Sequence, residues 1–171
     1  MTDVIKEGAF IPDMNLKAIV KEEIKDIKLS QLFADHSLMH PKEKKIVLFS
    51  VPGAFTPTCS AKHLPGYLTY AQAFKEKKVD QIVCLSVNDP FVMKAWCDVN
   101  KANNDIIFLA DGNATFSKAL GLTFDGGMYS LGIRGQRFAM ILNGLKVEKL
   151  FIEKPGVFDV SSAEKVLAYL S

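Results

Sequence analysis

The sequence predicts an α/β fold in which helices cover both faces of a mixed central sheet. Three short apolar runs, residues 44–51, 81–87 and 105–111, are bounded by charged or turn residues and contain many β-branched side chains. Such runs are typical of buried strands. Helical patterns lie between them, so the strands should be parallel and joined by right-handed crossovers. An Asn-Gly pair late in the chain predicts an antiparallel hairpin.

The first crossover lies between "KKIVLFSV" and "QIVCLSV". The intervening residues 57–77 include Leu68, Ala71 and Phe74, which recur at the spacing of one helix face. These segments therefore predict a βαβ unit.

The pattern then repeats. Asp89 is a suitable helix cap and Pro90 suits the first turn of the helix that should run through "FVMKAWCDVNKA". The third strand, "DIIFLAD", precedes a short helix in "NATFSKALGL" that we expect to be closed by Gly121.

The last third of the chain predicts two strands, "RFAMILN" and "LKVEKLFIE", joined at Asn143-Gly144. A final helix, "SSAEKVLAYL", begins with a serine cap and a glutamate soon after it. This order of elements fits a thioredoxin-like fold. We expect one domain over residues 1–171, with an N-terminal extension ahead of residue 44.

Composition narrows the function. The net charge of +2 is too small to indicate nucleic acid as a partner, and the lysines are scattered among acidic residues. The segment "MTDVIKEGAF" lacks the apolar region of a signal peptide, and no apolar run reaches the roughly 18 residues of a membrane span. The three cysteines lack the paired spacing of a disulfide framework. We therefore expect a cytoplasmic protein without a membrane partner.

Cys59 stands apart from the other two cysteines. Thr56 is a good N-cap and Pro57 suits the first helical position, so Cys59 should lie in the first turn of a helix that follows a buried strand. In open α/β sheets, ligands bind at this edge. Unpaired N–H groups and the helix dipole favour an anion there, and a thiolate is the anion available.

A helix N-terminus alone is not sufficient to form a stable thiolate. Lowering the pKa of a thiol from about 8.5 to about 6 requires roughly 3.4 kcal/mol, whereas the dipole usually supplies no more than about 2 kcal/mol. We therefore expect a cation near Cys59, and the candidates are Lys62, His63 and a distant arginine. The chain has two arginines, Arg134 and Arg137, in "GIRGQRFAMIL". Either one of them holds an anion, or both are exposed and hydrated.

His63 follows Cys59 closely enough to share a helix face. One interpretation is the general base of a cysteine hydrolase. The preferred one is a packing or surface histidine, because a neighbour on the same helix is poorly oriented as a base. His36 and His40 flank a predicted loop and are interpreted as loop histidines. Without a paired cysteine or acid nearby, we expect no metal site.

The segment "VPGAFTPTCS" resembles the active-site signature of the peroxiredoxins, Pro-x-x-x-Thr-x-x-Cys, here Pro52, Thr56 and Cys59. Its Gly-Ala-Phe-Thr-Pro-Thr variant is similar to the peroxiredoxin-5, or type II, subfamily. Four further segments agree in order: "HLPGY", "LSVNDPFVMKAW", "FLADGNATFSKALGL" and "GIRGQRFAMILNG". The resemblance covers nearly all of residues 5–170.

The resemblance implies a thiol peroxidase on a thioredoxin fold, with no metal or organic cofactor. Cys59 would be the peroxidatic cysteine, and the Thr56 hydroxyl would bond its sulfur and the peroxide. Pro52 would shield the pocket. Arg137 would fix the thiolate and the peroxide, with Arg134 as a supporting arginine. The product would be a sulfenic acid that another thiol reduces.

The source of that thiol is open. Cys84 is similar in position to the resolving cysteine of plant and bacterial type II members, although a cysteine in the middle of a strand is normally a buried apolar residue. Animal members have their resolving cysteine late in the chain, and no cysteine occurs there in this sequence, since "PGVFDVSS" contains none. The alternative is direct attack on the sulfenic acid by glutathione or glutaredoxin. The reductant that completes the cycle would be glutathione with glutaredoxin, or thioredoxin. Cys97 is expected to be a packing residue.

Three functions are compatible with Cys59. The leading hypothesis is an enzyme that reduces hydrogen peroxide and small organic hydroperoxides. The alternative is a redox sensor that relays Cys59 oxidation to a partner protein, and a hydrolase is third. The lack of a Cys-x-x-Cys pair disfavours a dithiol reductase. The resemblance also implies a homodimer formed through surfaces near the active-site loops.

Overall fold

Seven strands form the central sheet of the computed structural model, which describes residues 3–35 and 42–170. The strands of the described residues are β1 (Asn15–Val20), β2 (Glu23–Lys28), β3 (Ala34–Asp35), β4 (Lys42–Glu43), β5 (Lys45–Val51), β6 (Gln81–Ser86), β7 (Ile106–Ala110), β8 (Thr123–Asp125), β9 (Ile133–Gly135), β10 (Phe138–Asn143) and β11 (Lys146–Ile152). The helices are α1 (Leu29–Phe33), α2 (Leu64–Thr69), α3 (Ala71–Glu76), α4 (Pro90–Val99), α5 (Thr115–Ala119) and α6 (Ala163–Tyr169). A π-helical segment, Cys59–His63, precedes α2, and Gly127–Tyr129 form a 3₁₀ turn.

The strand order in the central sheet is β11-β10-β5-β6-β7-β1-β2. Strands β5, β6 and β7 are parallel, as predicted, and every other pair in this sheet is antiparallel. The hairpin of β10 and β11 turns at Gly144, whose φ of +60° is one that glycine adopts readily. The predicted mixed sheet is therefore confirmed.

The N-terminal extension is part of this sheet. Strand β1 pairs with β7 and β2 pairs with β1, so the two strands extend the edge next to β7. The sequence pattern did not predict them, because "KAIVKEEIKDIK" carries a charge at almost every second position. That alternation suits an edge hairpin with one solvated face.

Two apolar cores lie on opposite faces of the sheet. The side chains of Val47 and Phe49 pack into one core with α2, α3, α4 and α6, while those of Ile46 and Leu48 pack into the other with α1 and α5. The alternation follows from the two-residue period of a strand. Because both faces are covered, the predicted strands are apolar at nearly every position.

The helix expected within residues 57–77 is interrupted. The π-helical segment comes first, with Leu64 N donating to Cys59 O, and the chain leaves the helical conformation again at Tyr70. Pro65 explains the wide first turn, since it has no N–H to donate and its ring would clash with the carbonyl four residues earlier in an α-helix. The widened turn places Cys59 and His63 on the side of the segment that faces the sheet, where both are buried.

The predicted caps of α4 and α6 and the predicted end of α5 are confirmed. Asp89 accepts a hydrogen bond from Val92 N at 2.9 Å, and Ser162 accepts one from Lys165 N at 3.3 Å. Gly121 follows α5 with a φ of +71°, as expected for a glycine that closes a helix.

Candidate active site

The loop between β5 and the π-helical segment is fixed by two side chains from other strands. Asn88, just after β6, accepts a hydrogen bond from Ala54 N at 3.0 Å through its Oδ1. Arg134, in β9, donates through Nη1 to Pro52 O at 3.3 Å. Sequence reasoning missed Asn88, although its place after a buried parallel strand is a signal for a site residue.

Near the end of this loop, Phe55 has a left-handed backbone conformation with a φ of +63°. Such backbone is uncommon for an aromatic residue and occurs preferentially at functional sites. Thr56 then begins the helix, since its carbonyl accepts from Ser60 N at 2.9 Å. Thr56 therefore occupies the predicted cap position, but no backbone N–H of the first turn donates to its side chain; the hydroxyl instead donates backwards to Gly53 O at 2.6 Å. The Thr56 proton is therefore used on Gly53 O and is not shared with the Cys59 sulfur. The lone pairs of Oγ1 remain able to accept a hydrogen bond.

Cys59 lies in the π-helical segment, and its side chain is fully buried at 0% exposure. The Nη2 group of Arg137 donates to its Sγ at 3.2 Å. Arg137 comes just before β10, whose first residue, Phe138, pairs with Ser50 near the carboxyl end of β5. The sheet register therefore brings Arg137 to the edge from which the Cys59 loop departs.

His63 holds the other arm of the same guanidinium. Its Nδ1 lies 2.8 Å from Arg137 Nη1, and its Nε2 lies 3.0 Å from Ser161 O. Because a guanidinium only donates and a carbonyl only accepts, Nδ1 must be the acceptor and Nε2 must carry the proton. Burial, together with the charge of Arg137, lowers the pKa of His63 from 6.5 to about 3.

The hydrolase interpretation is therefore wrong. The only basic nitrogen of His63, Nδ1, already accepts from Arg137 Nη1, and a pKa lowered to about 3 makes the ring too weak a base to deprotonate a thiol. The surface interpretation is wrong as well, because the His63 side chain is buried. The packing interpretation is confirmed, with the addition that the ring orients Arg137.

Aromatic rings hold His63 in place. Its ring centroid lies 4.9 Å from that of Phe49 and 5.0 Å from that of Phe158. Phe49 also stacks on Tyr67 at 4.0 Å, and the Tyr67 hydroxyl donates to Ser161 O at 2.8 Å. The histidine consequently has little freedom to turn away from Arg137.

The second arginine binds the backbone. Arg134 donates to Leu131 O at 2.8 Å and to Pro52 O and Val87 O at 3.3 Å each. It therefore joins the active-site loop to the end of β6. Both arginines are partly buried, so the interpretation of two exposed, hydrated arginines is wrong. Lys62, the other cation considered, is exposed.

A tryptophan secures the first helical turn. Trp96 in α4 donates from Nε1 to Ser60 Oγ at 3.0 Å, directly beside Cys59. Its ring centroid also lies 6.5 Å from that of Phe55. Sequence reasoning missed this contact, because nothing near Trp96 in the chain indicates a partner in a different helix.

Cys84 and Cys97 are fully buried and, like Cys59, are free thiols. Burial raises the pKa of Cys84 well above its ordinary value, with neighbouring Cys59 adding to the effect. Burial also raises the pKa of Cys97 to about 11, and its Sγ lies 3.3 Å from Asn103 Oδ1. Both are poor nucleophiles in this conformation.

Within residues 3–35 and 42–170, no group of three or more histidine, cysteine and acidic side chains is placed to hold a metal ion. In the same part of the chain, no helix is both long and apolar enough to cross a membrane. The predicted loop histidines His36 and His40 lie outside the described residues.

The site thus combines a buried sulfur, a permanently charged guanidinium that donates to that sulfur and a neutral histidine that orients the guanidinium. This arrangement favours a thiolate nucleophile and stabilises negative charge that develops beside it. A family model described as Redoxin matches residues 7–167. Fold, site and family model together define a redox-active thiol protein of the Redoxin class.

Similar proteins define the family more closely. The chain is 53% identical to Peroxiredoxin-2C of Oryza sativa subsp. japonica over 127 residues, 74% of this chain and 78% of the relative. It is 39% identical to the hybrid peroxiredoxin hyPrx5 of Haemophilus influenzae over 168 residues, which are 96% of this chain and 66% of that relative. The crystal structure of reduced Prx3 from Vibrio vulnificus in complex with H₂O₂ superposes with a TM-score of 0.88 at 45% identity, covering 98% of this chain and 100% of that one. The chain belongs to the peroxiredoxin family and is a thiol peroxidase, an oxidoreductase.

Replacing Arg137 tests the guanidinium bridge. We expect Arg137→Ala to slow the reaction with peroxide about one hundred- to one thousandfold, the usual cost of removing a donor that stabilises developing charge. Arg137→Lys should remain slow, because a single ammonium group cannot occupy both positions of the planar fork. The measurement is stopped-flow consumption of hydrogen peroxide, with thiolate absorbance recorded in parallel. Lys62→Ala is the matched control and should react at the wild-type rate; equal rates for Arg137→Ala and wild type would contradict the assignment.

The pKa of His63 predicts a pH dependence of stability. Because this pKa falls from 6.5 to about 3 on folding, the unfolded state binds a proton that the folded state excludes between these values. The contribution of neutral His63 to the free energy of unfolding is therefore fully present above pH 6.5. It is lost as the pH falls towards 3, by up to about 1.4 kcal/mol per pH unit.

The check is the free energy of unfolding in urea at a series of pH values for wild type and His63→Gln. The stability difference between the two proteins should change in favour of the variant as the pH falls from about 7 to about 4. Carboxylates titrate in both proteins and cancel in this comparison. Parallel curves would show that the His63 pKa is not lowered.

Proposed function

We propose that this peroxiredoxin reduces hydrogen peroxide and small organic hydroperoxides with Cys59 as the nucleophile. The observation that carries the proposal is the 3.2 Å hydrogen bond from Arg137 Nη2 to the sulfur of a fully buried cysteine. A guanidinium at this distance favours the thiolate and can also bind the oxygen that becomes negative.

In the first step, the thiolate sulfur attacks the hydroxyl oxygen of the peroxide. An S–O bond forms as the O–O bond breaks, and the electron pair leaves with the other oxygen. That oxygen takes up the proton released when Cys59 ionised and departs as water or an alcohol. Cys59 is oxidised to a sulfenic acid and the peroxide is reduced.

Thr56 and Pro52 shape the peroxide site. Since the Thr56 proton is used on Gly53 O, its Oγ1 accepts the hydrogen bond of the peroxide hydroxyl. Pro52 is partly buried at the start of the loop and limits the entrance. With no surface of the Cys59 side chain exposed, the site supports a small peroxide over a bulky one.

The sulfenic acid is reduced by an outside thiol, either glutathione, glutaredoxin or thioredoxin. One thiol attacks the Cys59 sulfur, releases water and forms a mixed disulfide; a second thiol then restores the Cys59 thiol and leaves as the disulfide of the reductant. The raised pKa of Cys84 supports this route, because a resolving cysteine reacts as its thiolate. Cys84 also lies in the middle of β6, between β5 and β7. Such a cycle needs a steady supply of reduced thiols, which a reducing cytoplasm provides.

The proposal includes a homodimer. Large apolar side chains are exposed on segments tied to the active-site loop, and we call this surface the apolar rim: Phe55, Phe91, Met128, Tyr129 and Ile133. Phe91 follows Asn88, which holds the loop, and Ile133 adjoins Arg134, which does the same. Exposed apolar surface of this kind supports a protein partner, and we propose a second copy of the chain.

The oxidation chemistry is tested by intact mass spectrometry after one equivalent of hydrogen peroxide. We expect a gain of one oxygen atom in wild type and in Cys84→Ser, and no gain in Cys59→Ser, because the Cys59 sulfur alone is activated by Arg137. Addition of glutathione should restore the original mass. Cys97→Ser is the control and should behave as wild type.

Two results would change the conclusion. A wild-type mass lower by two hydrogens, absent in Cys84→Ser, would show a Cys59–Cys84 disulfide and an opening of the π-helical segment. No oxidation of Cys59 in any of the proteins would overturn the peroxidase chemistry assigned to this residue.

The dimer is tested by sedimentation of the reduced protein. Wild type should sediment as a dimer, and Phe91→Glu should be monomeric because a charge is placed in the apolar rim. Val99→Glu is the matched control, since Val99 is similarly exposed, 71% against 75% for Phe91, at the other end of α4. A monomeric wild type, or identical behaviour of the two variants, would refute this interface.

A further inference from the structure

Glu153 follows β11, and its side chain is buried with only 7% exposure. Its carboxylate accepts four hydrogen bonds: from Asp159 N at 2.6 Å, Val160 N at 3.2 Å, Ser161 N at 3.1 Å and Ser161 Oγ at 2.8 Å. All four donors are neutral groups of one short segment, which we call the 158–161 loop. A buried carboxylate with this many donors determines the backbone path of the segment that supplies them.

The 158–161 loop contacts both Arg137, which donates to Cys59, and His63, which orients Arg137. Its Ser161 O receives the hydrogen bond from His63 Nε2 at 3.0 Å. Its Phe158 ring lies 5.0 Å from the His63 ring and 5.8 Å from Arg137 Cζ. One loop therefore supplies the acceptor that selects the His63 tautomer and an aromatic ring against both groups.

We propose that Glu153 is a positioning residue for the peroxidase reaction, an inference that rests on the proposed function. Glu153 holds the loop, the loop presents Ser161 O, and Ser161 O keeps the proton of His63 on Nε2. Nδ1 is then left as an acceptor for Arg137 Nη1, which directs Nη2 to the sulfur.

The opposite tautomer of His63, protonated on Nδ1, would disrupt the contact with Arg137. A proton on Nδ1 would face the N–H of Arg137, and two donors repel each other. Arg137 would then turn away from His63, and its second arm would leave Cys59 Sγ. Glu153 also binds the arginine through the main chain, since Glu153 N donates to Arg137 O at 3.1 Å. The carboxylate contributes to the reaction without touching any reacting atom.

Glu153→Ala and Glu153→Gln test this role. The alanine variant removes all four acceptor contacts and should slow the reaction of Cys59 with hydrogen peroxide about ten- to one hundredfold, the usual effect of a small misplacement far from the chemistry. The glutamine variant should be intermediate, because its amide oxygen retains the three contacts of Oε2 while its NH₂ group faces Val160 N. Ser162→Ala is the matched control: it removes the cap of α6 beside the loop without touching His63.

Three readouts are needed for wild type and each variant: the rate constant with peroxide, the thiolate absorbance at neutral pH, and the side-chain nitrogen chemical shifts of His63 by NMR. Rate and absorbance should fall from wild type through Glu153→Gln to Glu153→Ala. The wild-type shifts should show protonation at Nε2 only, and this pattern should weaken in the same order. Ser162→Ala should lose stability but keep all three wild-type readouts.

The outcomes separate the two proposals. A wild type that does not react with peroxide overturns the proposed function, while its NMR spectrum still tests the link from Glu153 to His63. A reactive wild type with unchanged rate and unchanged His63 shifts in Glu153→Gln overturns the positioning role. The positioning role is also overturned if Ser162→Ala slows the reaction as much as the Glu153 variants do. If Glu153→Ala does not fold, Glu153→Gln alone decides the question.

Discussion

The site depends on one guanidinium shared between a sulfur and a histidine. Arg137 has a permanent charge and a planar fork, so its two arms can reach Cys59 Sγ and His63 Nδ1 together. This bridge exists only while the histidine is neutral, because a protonated ring would present a donor and a second positive charge to the arginine. Burial keeps it neutral, and the aromatic rings that bury it also fix its orientation.

The fold brings the three groups of this bridge together from distant parts of the chain. Antiparallel pairing of β10 with β5 brings Arg137 to the carboxyl edge of β5, where the Cys59 loop begins. The π-helical turn, which Pro65 favours, gives Cys59 and His63 the same buried side. A shift of one residue in the pairing of β10 would move Arg137 away from this edge. The chemistry of the site is therefore encoded in the register of a strand as much as in the cysteine loop.

Local patterns in the sequence predicted the parallel strands, the hairpin at Gly144 and the caps at Asp89 and Ser162, because each depends on neighbouring residues. They also distinguished Cys59, since its place after a strand and at a helix start is a local property. The partners of His63 could not be predicted, because Arg137 lies 74 residues away and Ser161 lies 98. The edge strands β1 and β2 were missed for a different reason: their charged alternation is ambiguous until a neighbouring strand supplies the pairing.

The three cysteines show that burial alone does not decide reactivity. Cys59, Cys84 and Cys97 are all fully buried in the same apolar core. For Cys84 and Cys97, desolvation is the largest cause of a raised pKa and disfavours the thiolate, and the charge of Lys94 offsets this only in part at Cys97. Cys59 differs in its contact with Arg137 and in its place near a helix start. In the proposed mechanism, the hydration that a buried thiolate loses is replaced by the fixed positive charge of Arg137, one arm of which reaches Cys59 Sγ.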